Sequence, residues 1–269
     1  MITTNSDIEK LKLDGFVLKK NILNINQVEK IKDIIKLNSE GKGAPESHYP
    51  LNMKSFMFKL IKLDYKKINF SLYLLDLKKK LNLDLTAKNF FKRESKLVML
   101  DGYYNKSQEA DILPWHSDQA YAGAKSISKI ASPNFFFLKF FFYLTDVGSN
   151  NGCTSYIPGS HKITHAVRSC LYEKKIEYEP FWEISDLVNI ITKKKNYTHI
   201  AEQLDSKIDI NNFLENANLI TTNKNTSLFD FNASPGDLFI FDESGLHKGS
   251  KPSSNERIVL RYTYSTKVN

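Results

Sequence analysis

The stretch "LPWHSDQAYAG" (residues 113–123) sets His116 and Asp118 two positions apart, in a chain that holds six histidines. On a β-strand, side chains two apart leave the same face, so an imidazole and a carboxylate would project side by side. Such a pair supplies two ligands of a metal centre, or it decorates an ordinary polar strand edge. The C-terminal third bears on the choice. There "SPGDLFIFDESGLHKGSKPSSNERIVLRYTYS" runs from an apolar strand through a turn to His247, then a Gly/Ser/Pro-rich loop, then a strand that starts at Arg257. Two imidazoles and one carboxylate on one side of an ion form the facial triad of non-haem iron chemistry, which leaves positions open. An arginine on the next strand offers a rigid two-pronged donor to a dicarboxylate.

The elements that must position these residues fall into two blocks. Ser6 and Asp7 can cap a first helix that turns at Asp14-Gly15 into a strand. In residues 24–38, apolar residues at 28, 31, 34 and 35 mark one helix face. A glycine-bearing loop is expected over 39–52, then helices around 53–62 and 66–80. From about residue 95 the pattern alternates. "KLVMLDGYYN" (96–105), "NFFFLKFFFYLTD" (134–146), "GCTSYIP" (152–158), "SPGDLFIFD" (234–242) and "ERIVLRYTYS" (256–265) read as strands. Residues 170–225 read as a polar, partly helical excursion. Helices first and antiparallel-looking strands afterwards predict a β-sandwich or jelly roll braced by helices, in a single domain spanning 1–269. The boundary between helical support and β core falls near residue 95.

Bulk properties narrow the classes. A 41% hydrophobic fraction with 18 Phe and 13 Tyr in 269 residues fills a substantial core. Two cysteines, Cys153 and Cys170, exclude a disulfide scaffold and a cysteine-based zinc module. Neither a signal-peptide pattern nor an apolar run of membrane-spanning length occurs, so a soluble cytoplasmic protein that spans no membrane is expected. The net charge of +8 is spread over short clusters such as "LKKK" (77–80) and "TKKKN" (192–196), with no nucleic-acid-binding motif. Nucleic acid is therefore not an expected partner; a small-molecule substrate is, and the basic balance leans toward an anionic one. Oligomeric state is not legible.

The order "PWHSD", "NNGCTSYIPGSH" (150–161) and "GLHKGS", with Arg257 ten residues after His247, resembles the phytanoyl-CoA dioxygenase family of Fe(II)- and 2-oxoglutarate-dependent oxygenases. The opening "LKLDGFVLKKNIL" (11–23) is similar to the start of that family, and the likeness spans roughly 8–265. It implies a double-stranded β-helix, a cupin-like jelly roll. By the resemblance, His116, Asp118 and His247 would hold Fe(II), and Arg257 would clamp the far carboxylate of 2-oxoglutarate. Tyr103 and Asn105, which share a face of the preceding strand, would touch the co-substrate. Many relatives place the serine two residues after the distal histidine; here Lys248 intervenes, which weakens the case for Ser250. The implied reaction consumes O₂ and 2-oxoglutarate, releases succinate and CO₂, and hydroxylates a C–H bond. Halogenating relatives lack the carboxylate ligand, so Asp118 favours hydroxylation.

Other residues carry competing readings. Arg261 lies on the same strand face as Arg257 and rivals it as the clamp. Lys139 interrupts a phenylalanine-rich strand; it either snorkels to water or points inward to a carboxylate of co-substrate or substrate. Trp115, Gln119 and Tyr121 flank the metal motif as candidate substrate contacts. His161 reads as structural, His165 and His199 as solvent-facing, and Asp237 and Asp242 as turn residues. Two other functions share these features: a non-catalytic jelly-roll binding protein, and a cupin-type metal-dependent hydrolase or isomerase. Arg257 argues against the latter, which has no dicarboxylate to clamp.

Overall fold

A computed structural model of the protein describes residues 2–39, 46–50, 65–118, 136–149, 151–179, 181–222 and 227–266, with only the backbone of 37–39, 46–50, 66, 67 and 208. The expected helix at 53–62 lies outside the described residues, as do Gln119 and Tyr121.

The chain opens with α1 (Asn5–Asp14), capped by Thr4 in a reciprocal capping box with Asp7. The helix stops at Gly15, whose φ of 88° is left-handed. A side chain there would strike Tyr156 and His161, so both conformation and space demand glycine. β1 (Phe16–Lys19) follows, then α2 (Ile25–Ser39), whose Val28, Ile31 and Ile35 are fully buried. The loop expected at 39–52 contains a strand, β2 (Glu46–Pro50), paired with β3. Its polar, proline-ending sequence hid it, and an edge strand tolerates both features. α3 (Tyr65–Lys80) and α4 (Leu83–Phe91) complete the helical block.

The β-strands are β3 (Ser95–Asn105), β4 (Leu113–His116), β5 (Phe137–Tyr143), β6 (Thr154–Tyr156), β7 (Leu238–Asp242), β8 (His247–Gly249) and β9 (Arg257–Thr266). They form two antiparallel sheets, a six-stranded one in the order β1-β7-β5-β9-β3-β2 and a three-stranded one in the order β4-β8-β6. This is the expected jelly roll.

The central strands β5, β7 and β9 of the large sheet are buried on both faces, which is why they carry near-continuous apolar runs. On the outer face, Leu138, Phe140, Phe142, Leu260, Tyr262 and Tyr264 pack against the N-terminal helices. On the inner face, Tyr143, Phe239, Phe241 and Val259 meet Tyr156 of the small sheet. Strand parity assigns Lys139, Arg257 and Arg261 to that inner face as well.

The excursion is helical and not merely polar. α5 (Ser160–Tyr172) leads into it, and it holds α6 (Ile184–Thr192), α7 (Lys194–Ala201) and α8 (Ile208–Thr222). Ile184, Leu187, Ile190, Ile191, Ile200, Ile210, Phe213, Ala217 and Trp115 bury into a core of their own. Lysine and asparagine on the exposed faces masked this helical period. No helix among the described residues is long and apolar enough to cross a membrane.

Candidate metal and co-substrate site

Two adjacent strands of the small sheet bring the histidines together. His116 at the end of β4 is the register partner of His247 at the start of β8, and their ring centroids lie 4.4 Å apart. Each ring is held by backbone. His116 Nδ1 lies 2.6 Å from the Pro114 carbonyl oxygen, and His247 Nδ1 lies 2.9 Å from that of Gly245. A carbonyl only accepts, so each Nδ1 carries a proton and each Nε2 is the nitrogen turned toward the site. Burial, then the neighbouring His116, lowers the His247 pKa and keeps that ring neutral. His116 Nε2 is buried without a hydrogen-bond partner among the described residues.

Asp118, half-buried two residues beyond β4, completes the set. Its Oδ1 is 3.5 Å from His116 Nε2, and its Oδ2 is 3.3 Å from His247 Nε2. One ligand atom from each of the three residues lies within 4.8 Å of the others, close enough to hold one metal ion. Burial works to raise the Asp118 carboxyl, but Lys139 and the two imidazoles hold it well below the usual range, so it is an anionic donor. Two imidazole nitrogens turned inward by backbone carbonyls and one carboxylate, all within reach of one ion, fit a first-row divalent metal.

The two arginines separate cleanly. Arg261 Nε and Nη2 donate to Oδ1 and Oδ2 of buried Asp101 at 2.8 and 2.6 Å, above the Tyr103 ring at 4.6 Å. Arg257 has no carboxylate partner among the described residues. Its Nη1 donates to Asn105 Oδ1 at 3.3 Å, its cation lies 5.9 Å from the Tyr143 ring, and its stem packs on Gly152. Arg257 Nε and Asn105 Nδ2 are buried donors without partners among the described residues. Unpaired buried donors on a cation are costly unless an acceptor ligand satisfies them.

Several expected residues take other places. Trp115 turns away from the triad into the helical core, edge-on to Phe229. Trp182, which the sequence reading passed over, packs against His116 at 5.3 Å instead. Ser250 engages Cys153 Sγ at 3.3 Å and Ser155 Oγ at 3.4 Å. Lys139 points inward as one reading held, but its ammonium meets the protein's own carboxylates, those of Asp118 and Glu243. His161 is structural, with Nε2 3.1 Å from the Lys12 carbonyl oxygen. His165 is not on the surface: it is half-buried with Nε2 on Asp242 Oδ2 at 3.0 Å, because α5 packs along the end of β7. Tyr156 and Phe241 wall His247, at 6.4 and 5.2 Å. Those walls were legible only as apolar strand residues.

The family model for phytanoyl-CoA dioxygenase matches residues 12–259. No curated protein sequence matches the chain. Among solved structures, HygX from Streptomyces hygroscopicus with nickel, 2-oxoglutarate and hygromycin B bound is 15% identical, with a TM-score of 0.58 over 98% of this chain and 88% of that one. EvdO2 from Micromonospora carbonacea var. aurantiaca is 14% identical, with a TM-score of 0.56 over 99% and 93%. The epimerase SnoN, in complex with Fe³⁺, alpha-ketoglutarate and nogalamycin RO, is 14% identical, with a TM-score of 0.54 over 97% and 82%. At these identities the likeness concerns the fold.

Proposed function

The chain belongs to the phytanoyl-CoA dioxygenase family, and from that premise we propose that it is an Fe(II)- and 2-oxoglutarate-dependent dioxygenase that hydroxylates a C–H bond of a small molecule. The whole chain acts as one catalytic domain: the helices that cover the outer face of the large sheet brace the inner face beside the site. The observation that carries the reading is the pairing of two features. One is a His-Asp-His set whose imidazoles are oriented by backbone carbonyls. The other is a buried arginine whose charge has no described partner.

His116, His247 and Asp118 would hold the iron. Arg257 would take the distal carboxylate of 2-oxoglutarate, with Asn105 Nδ2 as a further donor, Tyr103 on β3 and Ser250 just past the end of β8. When bound, the metal and co-substrate supply O₂ activation coupled to decarboxylation, for the balance RH + 2-oxoglutarate + O₂ → ROH + succinate + CO₂. The protein's own part is to orient and to exclude water. Tyr156, Phe241 and Trp182 enclose the imidazoles, and the carbonyls of Pro114 and Gly245 keep both in the metal-binding tautomer. Solved neighbours carry small molecules such as hygromycin B or nogalamycin RO, which supports a small-molecule substrate here. A non-catalytic binding protein has no need of a complete triad beside an unpaired arginine, and a hydrolase has no need of the arginine.

The test is an anaerobic titration of metal-free protein with Fe(II), then 2-oxoglutarate, followed by visible absorption. A charge-transfer band that appears in the wild type and vanishes in His116→Ala is expected. Iron binding without the band would sink the co-substrate reading. Succinate release stimulated by a candidate compound, with oxygen incorporated into the product, then separates hydroxylation from an epimerisation that leaves the product's composition unchanged.

A further inference from the structure

The three proposed metal ligands are not held alike. His116 and His247 lie on paired strands, each with its Nδ1 tied to a carbonyl and its side chain at most 8% exposed. Asp118 lies beyond the end of β4, and its side chain is 30% exposed. A carboxylate outside the ladder needs another restraint to stay on the triad. The structure supplies one from the opposite sheet. Lys139 of β5 reaches across the interior to hydrogen-bond Asp118 Oδ2, with Glu243 Oε2 3.3 Å from the same ammonium. The side chains of Lys139 and Glu243 are 8% and 9% exposed. Glu243 is anchored in turn, its backbone N–H donating to the Phe137 carbonyl at 3.4 Å, and it stands four residues before His247.

We propose that Lys139, braced by Glu243, is a positioning residue that holds the Asp118 carboxylate in its metal-binding orientation. The proposal rests on the His116–Asp118–His247 metal-site reading. Burying an ion pair on a core strand is a poor way to gain stability, because desolvating both charges offsets their attraction. A leucine or methionine would fill that place among the phenylalanines at less cost. What the pair provides is a fixed geometry that links the Asp118 segment, β5 and the turn leading into His247. The pairing also bears on how a lysine can stand beside a metal ligand: its ammonium is shared between the carboxyl groups of Asp118 and Glu243, which hold it in place on the side of Asp118 Oδ2.

Position and charge predict opposite signs when Lys139 is removed. If Lys139 positions the carboxylate, Lys139→Met weakens metal binding; if it acts only as a nearby cation, the variant binds metal more tightly. The experiment is a calorimetric Co(II) titration of the metal-free protein, with Co(II) d–d absorption as the coordination readout and thermal melting as the control. Lys139→Met is expected to lose ~10–100-fold in Co(II) affinity, the range seen when outer-sphere partners of metal ligands are removed, and to change the d–d spectrum. Lys139→Arg should recover most of that loss. Glu243→Gln should also bind Co(II) more weakly, since the ammonium is then loosened. Equal or tighter Co(II) binding by a folded Lys139→Met overturns the proposal. If that variant does not fold, unchanged Co(II) affinity in Glu243→Gln overturns it. Wild-type protein that binds no Co(II) would overturn the metal site along with the proposal; wild-type binding with an indifferent Lys139→Met strikes the proposal alone.

Discussion

Exchanging the fates of Arg257 and Arg261 probes the co-substrate assignment most sharply, because the two share one face of β9 and differ only in what they touch. Arg261 is forked onto both oxygens of Asp101, which is fully buried. Removing one partner of such a pair strands the other charge, at about 3–5 kcal/mol. Arg261→Met should therefore lower the melting temperature substantially. Arg257 makes one 3.3 Å contact to Asn105 and no described ion pair. Arg257→Met keeps the stem packed on Gly152 and Tyr143, and its loss to the fold should be about 1 kcal/mol or less. Its loss to 2-oxoglutarate is another matter. Truncating one side of a buried, hydrogen-bonded charge pair costs about 2–5 kcal/mol, which is roughly 30-fold to several-thousand-fold in affinity. The assay is anaerobic calorimetry of 2-oxoglutarate into metal-loaded protein, alongside melting curves. Expected is a crossed result: Arg257→Met binds metal and melts near wild type but loses 2-oxoglutarate, whereas Arg261→Met melts early and, where folded, retains it. The reverse cross would refute the reasoning from unpaired donors.

Replacing His247 by Ala should cost more Co(II) affinity than the ~10–100-fold typical of an outer-sphere change, with a circular dichroism spectrum like wild type; calorimetry checks it. His161 is buried and neutral, its pKa pushed down to about 4 mainly by burial. A histidine depressed from 6.5 gives stability that is present above pH 6.5 and lost as pH falls toward 4. Linkage puts the loss between pH 7.5 and 5 at about 2 kcal/mol; urea denaturation at the two pH values should show it, and His161→Gln should flatten that slope. Phe213, buried between the helices of the excursion, should cost about 3–5 kcal/mol when cut to Ala. Chemical denaturation tests whether that segment is structural, and a loss near zero would show that it is not.

What could be read from the residues, and what could not, follows from the range of each signal. His116 ends β4 with Asp118 two residues on, and His247 and Arg257 start two later strands, so chain order suffices to group them, although Asp118 lies past the strand on which the sequence pattern set it. Parity cannot separate Arg257 from Arg261, which are four apart. The deciding fact is Asp101 across the β3–β9 register, and register is a tertiary quantity. Lys139 raised the same difficulty. Its presence in a phenylalanine run left it either snorkelling to water or meeting a carboxylate of co-substrate or substrate, and Asp118 and Glu243 become its neighbours only when β4, β5 and β7 are assembled. The helices of 160–222 were obscured for a different reason: their buried positions recur every three or four residues, and lysine and asparagine between them lower the local average without disturbing the period.

The net charge of +8 invited the idea of an anionic substrate, and the pairing of the cations weakens it. Lys12, Lys32, Lys78 and Lys80 lie on surface carboxylates of Glu9, Glu29, Asp84 and Asp76, so no concentrated basic surface is formed by them to steer an anion. On the inner face of the large sheet, Lys139 and Arg261 are each neutralised by the protein's own acids, and Arg257 alone of those three lacks a described carboxylate partner. One buried cation without a described acid partner suits one carboxylate, and under the proposed function that is the distal carboxylate of 2-oxoglutarate. With that charge satisfied, nothing on this face calls for an anionic substrate. A panel of neutral and anionic compounds, scored by stimulated succinate release, should therefore show no advantage for the anions. A clear preference for anions would mean that a cation outside these pairs contributes to recognition.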